Sequence, residues 1–440
     1  MSMAAPGPTR SLLLRPEAPA LNDPARDEAF DDEEEAEEAP LAAPDDKRDE
    51  RTPHRVLALF WLLGVLNNAS YVIMIASAKS IASGGVALVY IAAGVPGVAT
   101  KLSAPLWFDR VGYGPRLGFA AACMAGAFAL VGPLSFGRMG VQLSGVLLCS
   151  VQAALGEASL LALASRSPGR GSAALGAWSS GTGFAGIFGY AWVFLCTRVA
   201  RLSLAATQAA ALAALPGAYA AASAALAARP PRDGGGGVAP RPVAMGPATR
   251  LRFALGLWPV TGAIFAVYFA EYAMQSGVWA SMGFPDPRSA ARRDAFYLYS
   301  NWLYQGGVLC SRSSGFLYAR PVPRAALWAM AAAQCGLLAF FAFDAADHFW
   351  YDRSVLALCF VVGLFGGAVY VHGFRALAAR GDDATAELAM PVGAAAADAG
   401  TLASNVVGLF LQACLYDANR IGGATVSWSI CSDGVHPTSR

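Results

Sequence analysis

From Val56 onward the chain alternates long apolar stretches with short polar breaks. Eleven such stretches occur, at 56–77, 86–108, 116–136, 140–164, 173–197, 202–228, 251–280, 296–318, 322–344, 353–377 and 386–417. A helix needs about 20 apolar residues to cross the hydrocarbon core of a bilayer, and each stretch is long enough. The stretches are continuous rather than alternating at period two. Inside a membrane only helices and closed barrels satisfy every backbone group, so the pattern predicts helices. The fold class expected is all-α, a polytopic membrane bundle with about 11 transmembrane helices.

The breaks divide the chain. Residues 1–52 lack apolar periodicity and read as a disordered acidic arm; 53–228 form a six-helix N-terminal lobe; 229–250 form a flexible linker built on Arg229-Pro-Pro-Arg232-Asp-Gly-Gly-Gly-Gly237; 251–418 form a C-terminal helical lobe; and 419–440 are a polar tail. Ser11–Leu14 is too short for the apolar region of a signal peptide. With the N-terminal arm in the cytosol, the cytosolic breaks collect fifteen basic residues and the opposite breaks eight. The positive-inside rule selects that orientation. Eleven crossings then leave the tail on the far side.

Composition narrows the class. Hydrophobic residues make up 56% of the 440 and charged ones 14%, and mean hydropathy is +0.44. A soluble domain carries roughly a quarter charged residues. The net charge of +2 hides a split: residues 1–50 hold 15 acidic and 5 basic residues, and the remainder 15 and 27. A soluble enzyme, a nucleic-acid binder and a disulfide-stapled secreted domain all fit poorly. Seven of the eight cysteines sit in apolar runs, without metal-ligand spacing, and read as apolar fillers. No metal, cofactor or catalytic set is expected. A solvated tail is the plain reading of the acidic arm, with a cytosolic partner as the alternative.

Ionisable residues inside a membrane are costly, so each is a candidate for function. Glu157 lies deep in the fourth stretch, Glu271 in the seventh, Asp398 in the eleventh, Arg312 in the eighth and Lys101 in the second. Glu271 reads either as a carboxylate facing a central cavity, binding a cation or proton, or as the partner of Arg312 or Lys101 in a buried ion pair. Tyr272 and Gln275 accompany it, Gln275 one helical turn away. Arg312 reads as a clamp for an anionic group or as a side chain reaching the cytosolic surface. Lys101 reads as reaching the surface, with substrate contact as the other possibility. Asp398 reads as a helix-packing hydrogen-bond donor or acceptor.

Three further segments carry polar character. Asn67, Asn68, Ser70 and Tyr71 interrupt the first apolar run and either glue helices together or line a pathway. Trp178-Ser-Ser-Gly-Thr-Gly183 is rich in small residues that allow close helix approach, and Ser180 and Thr182 are candidates for substrate contact. It lacks the lysine and the preceding strand of a phosphate-binding loop. Asp109-Arg110-Val-Gly112, between the second and third stretches, resembles the cytosolic loop of major-facilitator transporters. Asp109 and Arg110 are expected to act there as a conformational latch.

Several segments together resemble the battenin family of lysosomal and vacuolar membrane proteins: Asn67-Asn-Ala-Ser-Tyr-Val-Ile-Met74, Gly156-Glu157, Trp178-Ser-Ser-Gly-Thr-Gly183, Val267-Tyr-Phe-Ala-Glu-Tyr272, Leu303-Tyr-Gln-Gly-Gly-Val308 with Ser311-Arg-Ser-Ser314, Gly366-Gly-Ala-Val-Tyr-Val371 and Glu387-Leu-Ala-Met390. They occur in family order across 56–416. The resemblance implies a major-facilitator-like, two-lobe bundle in a lysosomal or vacuolar membrane. It implies a role in pH homeostasis and movement of a basic amino acid or a glycerophosphodiester. It places Glu157, Glu271 and Arg312 on the family's charged intramembrane positions. The Gly-rich linker and the lack of a prenylatable C-terminal cysteine depart from the family. The function expected is secondary transport of a small polar solute by alternating access. The rival is a non-transporting scaffold that regulates a proton pump or trafficking.

Overall fold

A computed structural model describes residues 52–81, 86–167, 172–228, 245–318, 322–379, 383–424 and 426. The acidic arm, the Gly-rich part of the linker and most of the polar tail lie outside them. Eleven long helices occupy the eleven apolar stretches. They are α1 (His54–Ala76), α2 (Val86–Trp107), α3 (Tyr113–Val131), α4 (Met139–Ser165), α5 (Ser172–Phe194), α6 (Leu204–Ala227), α7 (Trp258–Ala273), α8 (Ala290–Ser313), α9 (Arg324–Asp347), α10 (Leu356–Ala379) and α11 (Asp383–Ala418). No strand occurs among the described residues.

Eight of the eleven helices are long and apolar enough to cross a membrane on their own. Neither α2 nor α8 is among the eight. α8 begins Ala-Ala-Arg-Arg-Asp and carries Asn301, Gln305 and Arg312, so its polarity has to be sheltered by neighbouring helices. The seventh crossing differs from the expected single run over 251–280. A short helix, Pro247–Gly256, bends by 63° into the segment that begins at Trp258. Pro259 lies in the first turn of α7, where its missing N–H costs nothing but its ring prevents the preceding turn from continuing straight. Past Ala273 the crossing loosens into a π turn, Met274–Val278, and a 3₁₀ turn, Trp279–Ser281.

The start of α1 defines the proximal end of the bundle and the end of α11 the distal end. Within each half, helices of like direction pack closely: α1 on α5 and α2 on α4 in the first, α7 on α11 and α8 on α10 in the second. α5 and α11 carry the seam between halves, α5 against α8 and α10, and α11 against α2 and α4. The glycines of α5 make that approach possible. A Cβ at position 176 would lie 3.2 Å from the Gly315 carbonyl oxygen of α8's end, and one at 186 would lie 2.0 Å from the Gln305 carboxamide. On the other side of α5, a Cβ at 181 would lie 2.1 Å from the Trp61 carbonyl oxygen.

One continuous apolar core runs through both halves. It includes Phe60, Phe108, Phe128 and Trp178 from the first and Val260, Ile264, Phe374 and Leu377 from the second. A smaller core around Met274, Trp279 and Phe341 lies toward the distal end of the second half. Among the described residues six cysteines are free and Cys414 is disulfide-bonded, so the apolar-filler reading does not hold for Cys414.

Gly181→Ala places a methyl group against the Trp61 carbonyl. The expected result is destabilisation of roughly 1–3 kcal/mol, the usual cost of overpacking a tight core. A lower melting temperature of the purified protein in detergent is the measurement, and an unchanged one would show that α1 and α5 do not touch here.

Candidate functional site

At mid-depth the two halves meet around charge. On α2, Pro96 removes one helical N–H, and a turn later Thr100 Oγ1 donates to the Pro96 carbonyl at 2.8 Å. One residue on, Lys101 is 2% exposed. Its Nζ donates to Glu157 Oε2 of α4 at 2.5 Å and lies 2.7 Å from Asp398 Oδ2 of α11. Lys101 therefore does not reach the surface: its ammonium is neutralised by carboxylates closer than any interface. Asp398 likewise forms an inter-half ion pair rather than a mere packing hydrogen bond. Tyr370 of α10 donates to Glu157 Oε1 at 2.7 Å, and its own oxygen accepts from Trp178 Nε1 at 3.1 Å.

Arg312 joins this group from α8. It donates to Thr182 Oγ1 at 2.7 Å and to the Tyr268 hydroxyl at 2.9 Å, and its guanidinium carbon lies 4.0 Å from the centre of the Tyr370 ring. A cation over an aromatic face is attracted by the ring quadrupole, the more strongly where water is excluded. Its Nε has no partner. The surface-seeking reading fails for Arg312, because its bonds point into the bundle, one across the seam to Thr182 and one to Tyr268 within its own half.

Glu271 lies in the same layer but stands apart. Tyr304 donates to its Oε1 at 3.1 Å, while Oε2 has no partner. Among the described residues it makes no ion pair with Lys101 or Arg312. Gly366 makes room for it, since a Cβ there would lie 1.9 Å from Oε2. The network thus holds two cations, Lys101 and Arg312, against three carboxylates, Glu157, Asp398 and Glu271. With all five ionised, one negative charge is left over in a water-poor interior.

Distal to this layer lies a cavity of about 70 Å³, lined by Tyr71, Tyr90, Tyr190, Tyr272, Tyr297, Gln275, Gln305 and Asn405, among others. The side chains of Gln275 and Asn405 each leave one polar atom without a partner, Nε2 and Oδ1. Gln275 owes its place to the π turn at Met274–Val278.

The remaining sequence candidates divide. Asn67 is buried in the first half, where it donates to the Ala153 carbonyl at 3.1 Å and accepts from Gln152 Nε2 at 2.9 Å. It also donates to Asn68 Oδ1 at 3.3 Å. The bonds to Ala153 and Gln152 tie α1 to α4, so Asn67 serves helix packing, while half-buried Asn68 bonds only within α1 among the described residues. Ser180 links Trp61 Nε1, at 3.3 Å, with Ser313 Oγ, at 3.0 Å, and so joins α1, α5 and α8. Asp109 is buried at the proximal end, but its partner is not Arg110, which is exposed. Arg250 of the short pre-α7 helix donates to Asp109 Oδ2 at 2.6 Å and to the Pro105 carbonyl at 2.5 Å. Part of the expected flexible linker is therefore helical and clasps the end of α2. Nearby, Arg375 donates to the Gly315 and Tyr318 carbonyls at the end of α8. A guanidinium there complements the negative end of the helix dipole.

Reading the sequence for charge missed the tyrosines Tyr304 and Tyr370, although Tyr268 stands out as a neighbour of Glu271 on the same crossing. A buried hydroxyl needs a partner, so a tyrosine deep in a crossing was the available signal.

The fold is that of the major facilitators. The human organic anion transporter MFSD10 (TETRAN) superposes with a TM-score of 0.58, over 84% of this chain and 98% of that one, at 16% identity. The proton:xylose symporter XylE superposes with a TM-score of 0.59, over 80% of this chain and 87% of that one, at 12% identity. Within that architecture the chain belongs to the CLN3 protein family, which its residues 58–235 and 251–418 match. It is 30% identical to battenin of Canis lupus familiaris, over 86% of this chain and 94% of that protein. It is also 30% identical to protein BTN1 of Yarrowia lipolytica, over 83% of this chain and 96% of the relative.

Lys101→Met would leave Glu157 and Asp398 without their shared cation. Removing one partner of a buried ion pair costs on the order of 3–5 kcal/mol. The melting temperature in detergent should fall accordingly, and Lys101→Met combined with Asp398→Asn should recover part of the loss. A single variant as stable as the wild type would rule out the shared pair.

Proposed function

We propose that this protein is a secondary transporter that moves a small polar solute by alternating access across a lysosomal or vacuolar membrane, with protons as the coupling ion. The observation that carries this reading is the charge count at the seam: two cations and three carboxylates from both halves. A bundle that needed only stability has no use for an uncompensated negative charge at this depth. A site that takes up a proton or a cationic group does. Glu271 is the natural proton carrier, because its Oε2 lacks a partner and a neutral carboxyl is the cheaper form in a dry site.

The two ends of the bundle support the alternating-access reading. Proximally, the shared apolar core and the Arg250–Asp109 clasp close the seam. Distally, the tyrosine-lined cavity lies between the halves, with residues of both in its wall and none of the five charged side chains among them. A closed proximal end and a distal cavity are what a carrier caught in one of its two states would have. The distribution of basic residues favours a cytosolic proximal end. The disulfide-bonded Cys414 near the distal end suits a non-cytosolic compartment, where disulfides persist.

In the carrier, Arg312 holds an anionic group of the solute and Glu157 or Glu271 a cationic one. A mixed site of this kind suits a zwitterion such as a basic amino acid or a glycerophosphodiester. The pH balance of the compartment then follows from proton-coupled flux.

The test is uptake of radiolabelled arginine and of glycerophosphocholine into proteoliposomes with and without a proton gradient. The expected outcome is gradient-driven uptake of at least one solute. Arg312→Ala should reduce it about tenfold to a hundredfold, the equivalent of the roughly 1.5–3 kcal/mol of a charge-assisted hydrogen bond. Glu271→Gln should abolish the response to the gradient. Wild-type rates in both variants would remove the proposed roles.

A further inference from the structure

The Lys101–Glu157–Asp398 triad is asymmetric. Lys101 on α2 and Glu157 on α4 ride on the first half, while Asp398 on α11 rides on the second. When the halves part at this level, Lys101 and Glu157 leave together and remain neutral as a pair. Asp398 leaves alone. An ionised carboxylate stripped of its cation inside a membrane costs several kcal/mol. The triad is also graded in access: the side chain of Lys101 is 3% exposed, that of Glu157 14% and that of Asp398 30%. Asp398 is thus the least enclosed of the three, and it is also the member that most needs a substitute cation. Gly97 brings α2 close enough for the contact, since a Cβ there would lie 3.4 Å from Asp398 Oδ2 and 3.1 Å from Ser150 Oγ.

From this geometry we infer that the Lys101–Asp398 contact is a proton-released lock between the halves: a proton from solvent on Asp398 Oδ replaces the Lys101 ammonium, and the α2–α11 seam opens only in that form. The inference rests on the alternating-access reading and assigns Asp398 a role as a positioning residue that need not touch the solute. The sign is simple. Acidification protonates Asp398, weakens the lock and favours the proximally open form. Raising the pH restores the ion pair and closes the seam.

The other titratable groups around α11 have different attachments. Glu157 keeps Lys101 and Tyr370, and Glu271 keeps Tyr304. Tyr268 holds Arg312, and His372 of α10 faces Ser314 at 3.4 Å. Asp109 and Arg250 hold each other at the proximal end, and Asp344 of α9 accepts from the Trp350 backbone at the distal end. Tyr71, which lines the cavity, lies within the field of Asp398. None of these pairs a carboxylate of one half with a cation of the other at the α2–α11 seam as Asp398 and Lys101 do.

Spin labels at Arg110 and Leu317, both exposed at the proximal end, report opening of the seam. Carried on non-canonical residues, they leave the native cysteines untouched. Double electron–electron resonance on the full chain in nanodiscs should show a longer-distance population that grows about tenfold relative to the shorter one between about pH 7.5 and about pH 5. In Asp398→Asn the longer population should persist at every pH, with the response lost. Asp398→Glu, which keeps the charge, should retain a response with a shifted midpoint, and it serves if the Asn variant does not fold. A wild-type pH response in Asp398→Asn, or an Asp398→Glu profile identical to wild type, overturns the lock. Failure of solute uptake with an intact lock response would instead count against the transport reading, so the two are separable.

Discussion

Charge balance across a water-poor seam is the constraint on which this structure turns. Lys101 and Arg312 cannot be solvated at mid-depth, so each must be held by partners, and the partners come from both halves. Glu157 and Asp398 hold the lysine. Tyr268, Thr182 and the ring of Tyr370 hold the arginine. The halves are cross-tied by the same groups that a passing ion or solute would have to engage. That coupling is costly to break without a replacement charge, so the conformation of the seam and its ionic state are one variable.

The rest of the fold places these groups. Glycines on α5 bring the second half within contact distance, and the glycine at 366 leaves the pocket that Glu271 fills. The bend before α7 puts Arg250 against the end of α2, so the linker between halves is mechanically joined to the proximal closure. The π turn that follows α7 turns Gln275 into the distal cavity. Each irregularity of the seventh crossing thus sits at a contact that has to change if the halves move.

Much of the framework was legible from hydropathy. Eleven long helices appear where apolar runs predicted them, eight of them able to cross a bilayer on their own, because burial in a bilayer leaves the backbone no other solution. The departures are also physical. α8 was counted by its position in the pattern, yet it is too polar to stand alone and depends on its neighbours. The seventh crossing breaks where a proline enters its first turn. For the site, the ionisable residues were identifiable one by one, since any charge at such depth is conspicuous. Their pairing was not. Lys101 could as well have reached the interface, and Asp398 could have served packing alone. Only the register of α2 against α4 and α11 decides that both carboxylates meet one ammonium. Tyr304 and Tyr370 gave no charge signal at all, and Arg250 was placed in a linker expected to be flexible.

By itself, then, the sequence determined the class of protein, the succession of long apolar helices, the family, and the inventory of buried charge. These follow from local quantities: apolar length, backbone self-sufficiency and the rarity of ions in hydrocarbon. Only the tertiary structure decided which charge answers which, which carboxyl is left without a cation, and where the chain can open. Those depend on distances between helices far apart in sequence, set by side-chain volume at the seam, and no local pattern encodes them.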